Sequence, residues 1–370
     1  SRNSNLALID FAQAYLADLG VQAERVYDET GSKANLWATI GPDSGGGVIL
    51  SGHTDVVPVD GQDWSSDPFV LREADGRLYG RGTCDMKGFL ASCLAAVPQM
   101  TQARLRRPVH LALSYDEEVG CTGVKRLLDV RRGDVARPRY CVVGEPTSMG
   151  VVIAHKAKRS MQITVHGRPC HSSRAPEGVN AVDYAAMIVL KLREIGRRLA
   201  ADGPFDEAYD VVHSTAHTGI MTGGTALNIV PERCDIVCEF RVLPTEDADA
   251  LVAELRDFIT GQIEPQMRAV APETGVDFHV AAGFPGTQTE PDAEIVALAK
   301  RFAGVSSHSK VAYGTEGGLF QEALGVETVI CGPGDIAQAH RPDEYVEISQ
   351  LQACDRFIGR LVDWAATDDA

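Results

Sequence analysis

His53, Asp55, Asp85, Glu117, Glu118, Glu145 and His340 are the residues whose types and placement could do chemistry together. His53 and Asp55 follow the apolar run Val48–Leu50, and Glu117-Glu118 follows Val109–Ser114. Glu145 follows Tyr140–Val143, and His340 lies in the loop after Thr328–Cys331. Asp85 comes from the Gly80-Arg81-Gly82 turn, immediately before a helical stretch. In open α/β sheets ligands bind beyond the carboxyl ends of the strands, so four strands deliver metal-compatible side chains to one edge. Two imidazoles and several carboxylates suit zinc and, less exclusively, manganese or cobalt. A carboxylate shared between two ions about 3.5–4 Å apart would clamp attacking and departing oxygens. Such a site needs a base outside the ligand set, and the Glu117-Glu118 pair can provide one base and one ligand.

Each piece alone has an ordinary explanation. A His-x-Asp arises often by chance, Asp85 could be a helix N-cap, Glu117-Glu118 a solvated loop pair, and Glu145 a turn residue before Pro146. Their joint occurrence at successive strand ends is what loop composition does not explain.

The elements that must position these residues fall into three stretches. Up to residue 155, helical spacing at Leu6–Leu19 and Met86–Val97 alternates with strand-like runs at Val48–Leu50, Val109–Ser114 and Tyr140–Val143. That order predicts an α/β layered domain with a largely parallel sheet. Residues 156–285 read differently: strand Ser160–Val165, amphipathic helix Val179–Leu199, strands near Thr218–Met221 and Cys234–Val242, helix Ala248–Ile263, strand Val276–Val280. This β-α-β-β-α-β order is that of a ferredoxin-like unit. From 286 to 370 the alternation returns, with a helix at Asp292–Phe302 and a strand at Thr328–Cys331. The middle stretch therefore reads as a domain inserted into a discontinuous first domain.

The chain has 370 residues, 44% hydrophobic and 23% charged, as in ordinary globular proteins. Lys and Arg number 35 against 51 Asp and Glu, a formal charge of −16. That balance argues against sequence-independent nucleic-acid binding, which selects clustered cations. No window approaches the roughly 18–20 apolar residues of a membrane span, and Ser1–Asn5 lacks a signal-peptide pattern. Nine scattered cysteines fit neither a disulfide framework nor a zinc knuckle, so a cytoplasmic address with reduced thiols is expected.

Ser51-Gly52-His53-Thr54-Asp55-Val56-Val57-Pro58 and Gly80-Arg81-Gly82-Thr83-Cys84-Asp85-Met86-Lys87-Gly88 resemble the acetylornithine deacetylase, succinyl-diaminopimelate desuccinylase and glutamate carboxypeptidase family. The resemblance continues through Asp116–Gly120, Gly144–Thr147, Gly224–Glu232 and Ala339–Glu344, in order along nearly the whole chain. The wording around His155–Met161 and Leu319–Cys331 is most similar to the acetylornithine deacetylase branch. The resemblance implies a zinc-peptidase-like α/β catalytic domain with an inserted ferredoxin-like lid and dimerisation domain. It implies two Zn2+ ions, with Co2+ or Mn2+ as substitutes, bridged by Asp85. His53 and Glu145 would complete one site, and Glu118 and His340 the other. Asp55 would orient His53, and Glu117 would carry a proton from water to the departing nitrogen. In the inserted domain His171 would reach a partner subunit's site and stabilise the oxyanion, making the active unit a homodimer. Asn228 and Arg241 would hold the substrate, the guanidinium gripping an α-carboxylate, and Gly317 and Gly318 would line a substrate-side loop.

Two departures stand out. The family carries a helix ahead of the stretch that begins at Ser1, so a shortened form is expected. The branch often has Ala where Gly318 stands, which bears on the acyl amino acid accepted. The expected reaction is amide hydrolysis of a small N-acyl amino acid, N-acetylornithine foremost. Alternatives are another deacylation, a succinyl-diaminopimelate-like one included, or small-peptide carboxypeptidase activity. A cysteine hydrolase using Cys84 or Cys170 lacks a well-placed histidine partner. A non-catalytic binding paralogue would be expected to have lost the base or a ligand, and none is lost here.

Overall fold

The computed structural model describes residues 3–134 and 137–367. The chain divides into two compact units, residues 1–155 with 287–370, and residues 156–286. Along the first unit run β1 (Ala23–Tyr27), β2 (Ala34–Ile40), β3 (Val48–His53), β4 (Arg72–Ala74), β5 (Arg77–Tyr79), β6 (Val109–Ser114), β7 (Tyr140–Val143) and β8 (Val152–His155). The second unit holds β9 (Ala157–His166), β10 (Thr215–Gly223), β11 (Arg233–Val242) and β12 (Gly275–Phe284). The chain then returns to the first unit through β13 (Thr287–Gln288), β14 (Ser309–Val311), β15 (Glu327–Ile330) and β16 (Tyr345–Glu347). Ten α-helices are described: α1 (Leu6–Asp18), α2 (Gly88–Ala95), α3 (Val97–Gln102), α4 (Thr122–Arg131), α5 (Ala181–Asp202), α6 (Ala248–Phe258), α7 (Glu264–Val270), α8 (Glu294–Ala303), α9 (Gly317–Leu324) and α10 (Ile348–Ala366).

The large sheet of the first unit has the order β1-β2-β6-β3-β7-β15-β8-β13, with β14 also pairing β8. Its centre is parallel: β3 runs with both β6 and β7, and β7 with β15. Every residue of β3, β6 and β7 is buried. Runs apolar on both faces belong to strands covered by helices on both sides, which is why they read as continuous and not alternating. Residues of α1, α2, α8 and α10 share one core with Val48, Leu50, Val109, Leu111 and Val142. Helices α4 and α9 pack on each other and against β2, β7 and β15. Antiparallel β1 and β2 and the small sheet β16-β5-β4 lie outside the sequence expectation; β4, β5 and β16 have three residues each, β1 has five with none fully buried, and β2 is longer and largely buried.

The second unit has four antiparallel strands in the order β10-β11-β9-β12. Counted within the unit this is the strand order of a ferredoxin-like fold, in the connectivity expected from its sequence. Helix α5 buries Ala181, Ala185, Ile188, Leu192, Ile195 and Leu199, a stripe at alternating three- and four-residue steps. Asn180 caps it by accepting the N–H groups of Val182 and Asp183, and Asp247 caps α6 through Asp249 and Ala250. The continuous helix expected over Ala248–Ile263 ends as α-helix at Phe258 and passes through a π-turn, Ile259–Ile263, into α7.

His110 on β6 is the first unit's clearest proton-linked residue. It is buried, with Nδ1 3.0 Å from Thr39 Oγ1. Burial, followed by the charge of Arg131, lowers its pKa from 6.5 to about 4. Unfolding raises that value, so its contribution is fully present above pH 6.5 and is lost as pH falls through 4. The first unit should lose about 2 kcal/mol from this residue between pH 7 and pH 5. Comparing denaturant unfolding of the whole chain with that of His110→Gln at both pH values isolates the loss. An equal pH dependence in the two proteins contradicts it.

Candidate metal centre

The carboxyl ends of β3, β6 and β7 lie side by side in the parallel sheet, and the loops leaving them carry the acidic residues. His53 is the last residue of β3. Its Nε2 lies 2.9 Å from Asp85 Oδ1 and 3.7 Å from Glu145 Oε1. His340 brings its own Nε2 within 3.1 Å of Asp85 Oδ2 and 3.1 Å of Glu118 Oε2. The two oxygens of Asp85 therefore face different imidazoles, one towards Glu145 and the other towards Glu118.

Local structure explains each placement. Asp85 sits in a turn between Gly82, in the left-handed region at φ +85°, and α2. It does not cap that helix, whose N-cap is Lys87. Gly144 lets Glu145 follow β7 closely, since a Cβ there would lie 2.1 Å from the buried Phe89 ring. Asp116, at φ +55° and paired with Lys33 at 2.6 Å, reverses the chain after β6 and presents Glu117 and Glu118. The Asp55 carboxylate accepts the N–H groups of Glu117 and Glu118 at 3.2 and 3.1 Å. His53 Nδ1 lies 3.0 Å from the main-chain oxygen of Asp55 and 3.5 Å from its carboxylate. Asp55 thus touches both the imidazole and the Glu117-Glu118 turn, with the shortest approach to His53 made by its main chain.

Charge is crowded here. Burial raises Glu145 well above the usual carboxylate range, with Asp85 adding to it, and raises Glu117 to about 8. Burial opposes ionisation of Asp85 too, but bonds from His340 and His53 hold its carboxyl well below the usual range. Bonds to Asp85 and Glu118 raise His340 to about 10, and His53 is raised by Asp55 and Asp85 against burial. Divalent cations would neutralise carboxylates crowded in this way. The donor set fits them. His53, Asp85 and Glu118 offer one atom each within 4.8 Å of one another, and so do His53, Glu117 and Glu145. Those groupings cut across the expected division into His53 with Glu145 and His340 with Glu118, and the second includes Glu117, which was expected to be the base and not a ligand.

Glu316, beside the two glycines of the expected substrate-side loop, was given no role from the sequence. It precedes α9, is buried, and accepts a hydrogen bond from Ser51 Oγ at 3.3 Å. Burial raises it to about 7. An acidic residue between Thr315 and two glycines was the available signal. Gly317 and Gly318 are buried at the start of α9, and a Cβ on Gly317 would lie 2.7 Å from Thr287 Oγ1.

The remaining expected residues lie in the second unit. His171 is exposed and forms a bridge with Ile229, while the Ser172 N–H donates to Asn228 O at 3.0 Å. Its Nδ1 accepts the Ser173 N–H at 3.2 Å, which leaves Nε2 carrying the ring proton as an outward donor. Arg241 on β11 donates through Nε to Glu239 at 3.0 Å, and Lys158 approaches the other Glu239 oxygen at 3.4 Å.

Residues 49–364 match the model of peptidase family M20/M25/M40. An acetylornithine deacetylase of Myxococcus xanthus is 35% identical over 370 residues, covering 97% of this chain and 92% of that one. Among solved structures, an M20 family metallo-carboxypeptidase of Sulfolobus solfataricus superposes with a TM-score of 0.75 at 18% identity, covering 96% and 93% of the two chains. A Bacillus subtilis protein described as a dinuclear metal binding peptidase of the M20 family superposes with a TM-score of 0.64 at 15% identity, covering 95% and 90%. Together with the strand-end cluster of histidines and carboxylates, the match places this chain in peptidase family M20/M25/M40 as a metallo-amidohydrolase.

Proposed function

We propose that this protein hydrolyses the amide bond of a small N-acyl amino acid, N-acetylornithine to ornithine and acetate, at a site for two zinc ions. The observation that carries this reading is Asp85, whose two oxygens each face a different imidazole at the ends of parallel strands. The acetylornithine deacetylase relative supports the substrate. His53, Asp85 and Glu145 would hold one ion, and His340, Asp85 and Glu118 the other; cobalt or manganese could replace zinc. When bound, the pair supplies Lewis acidity to the scissile carbonyl and to the attacking water.

The chain's own residues do the rest. Asp55 holds His53 and the Glu117-Glu118 turn together. Glu117 accepts a proton as the water oxygen bonds to the acyl carbon. It returns that proton to the amine nitrogen as the carbon–nitrogen bond breaks. His171 donates its Nε2 proton as a hydrogen bond to the oxyanion, and Arg241 with Asn228 binds the amino-acid carboxylate.

A homodimer fits the second unit. Its strand β10 is a sheet edge, exposed along most of its length, and Leu227 beside it is fully exposed. Ile220, Met221 and Ile229 add apolar surface. An unpaired, apolar edge is suited to burial against a second copy. Two-fold symmetry would then give each site the other copy's His171. Nine unpaired thiols, eight of them in buried residues, suit the cytoplasm, and no helix among the described residues is long and apolar enough to cross a membrane.

Assayed on a panel of N-acyl amino acids and dipeptides, the chain should turn over N-acetylornithine fastest. Activity should vanish on exhaustive chelation and return with zinc or cobalt. Turnover by protein shown to be metal-free by elemental analysis contradicts the metal reading, and a preference for another panel member corrects the substrate. Glu117→Ala should keep its metal content and lose about 10²–10⁴-fold in kcat; loss of metal instead would mean that Glu117 is a ligand. Mixed after subunit exchange, inactive His171→Ala and Glu117→Ala chains should regain activity. One site of each mixed dimer then has both groups. Exchange without recovery would show that His171 acts within its own chain or has no catalytic part.

A further inference from the structure

The loop that carries Asp85 and the loop that carries His340 are tied together by groups outside the ligand set. Glu344 is buried, and one of its carboxylate oxygens accepts three main-chain N–H groups, from Gly82 at 3.0 Å, Cys84 at 2.9 Å and Asp85 at 3.1 Å. The other oxygen accepts Arg81 Nη1 at 2.6 Å, with both side chains only 1% exposed. The Gly80 N–H donates to the Glu344 main-chain oxygen at 2.9 Å. Residues 80–85 are thus wrapped around a single side chain, four positions beyond His340.

Arg81 passes the link on. Its Nη2 donates to Gln62 Oε1 at 2.5 Å, and Trp64 Nε1, beneath the guanidinium, donates to the same oxygen at 3.1 Å. Two N–H donors on one atom fix the orientation of the Gln62 amide. Its Nε2 therefore points the other way, donating to the main-chain oxygen of His340 at 3.1 Å. His340 has φ +61°, a left-handed conformation uncommon for a residue with a side chain. Its imidazole is half-exposed, so little packing holds it. Ser65 pins the far end of the same turn through its N–H and hydroxyl, both donating to Asp343 Oδ1 at 2.9 and 2.8 Å. Apart from its contacts with Asp85 and Glu118, the His340 side chain takes its position from its backbone, and Gln62 grips that backbone.

We infer that Gln62 is a positioning residue that sets the affinity of the ion held between Asp85, Glu118 and His340, leaving the ion at His53 and Glu145 unaffected. The inference rests on the two-ion reading above. Residues that orient metal ligands typically contribute about 10–100-fold to metal affinity when removed. A glutamine in a loop rich in Asp and Ser would otherwise read as solvated, and only its two-sided bonding shows a role.

The test is calorimetric titration of zinc into chelator-stripped whole chain, wild type against Gln62→Ala and Gln62→Met. Methionine keeps the packing beside Arg81 and Trp64 and removes both polar groups. Wild type should take up two ions. Both variants should bind one ion as wild type does and the second about 10–100-fold more weakly. Turnover at limiting zinc should fall and recover with excess. Two ions bound by both variants with wild-type affinity overturn the inference alone. So does equal weakening of both ions together with a lowered melting temperature, which marks a general structural role. A wild-type chain that binds no ion overturns this inference and the metal reading together.

Discussion

The Asp85, Glu117, Glu118 and Glu145 carboxylates crowd around the His53 and His340 imidazoles at the carboxyl ends of buried parallel strands. Like charges in a low-dielectric interior repel strongly, and burial penalises each further. Within the protein His53, His340 and Lys87 offset only part of this, since β3, β6 and β7 are buried along their lengths. The arrangement makes sense as a cradle for cations, and the features of the first unit that place these groups serve to hold the carboxylates against their mutual repulsion. Asp55 collects the N–H groups of the Glu117-Glu118 turn, and Glu344 does the same for the turn ending at Asp85.

Buried Arg81 and Glu344 show how that holding is done. A fully buried ion pair is a weak source of net stability, because desolvation offsets most of the attraction. Its value is geometric: a carboxylate that satisfies three main-chain donors and a guanidinium leaves residues 80–85 few alternative conformations. Precision in the ligand set is thus obtained from buried polar bonds, while helices α1, α2, α8 and α10 supply the hydrophobic stability.

The second unit follows a different logic. Its helices cover one face of a four-stranded sheet through Ile236, Cys238, Phe240, Ile188 and Leu192. The face with Lys158, Glu239 and Arg241 carries charge instead of core. Its β10 edge is exposed along most of its length. The His171 ring is held by a local turn and not by a packed core.

What the residues alone determined was whatever depends on local order. The apolar runs at 48–50, 109–114 and 140–143 became β3, β6 and β7, and the β-α-β-β-α-β order became the second unit, because buried strands and amphipathic helices write their periodicity into the chain. The convergence of His53, Asp85, Glu117, Glu118, Glu145 and His340 was readable for the same reason: parallel strands put their following loops on one edge. Short, half-polar strands such as β4, β5 and β16 left no such trace, since three residues carry no period. Nor could the parts of Glu316, Glu344 and Gln62 be read from the chain, since they depend on partners up to 278 positions away. Which oxygen of Asp85 faces which imidazole, and which atom of Asp55 reaches His53, were decided only when tertiary packing brought distant loops within hydrogen-bond distance, because such bonds act over about 3 Å and leave no spacing in the chain.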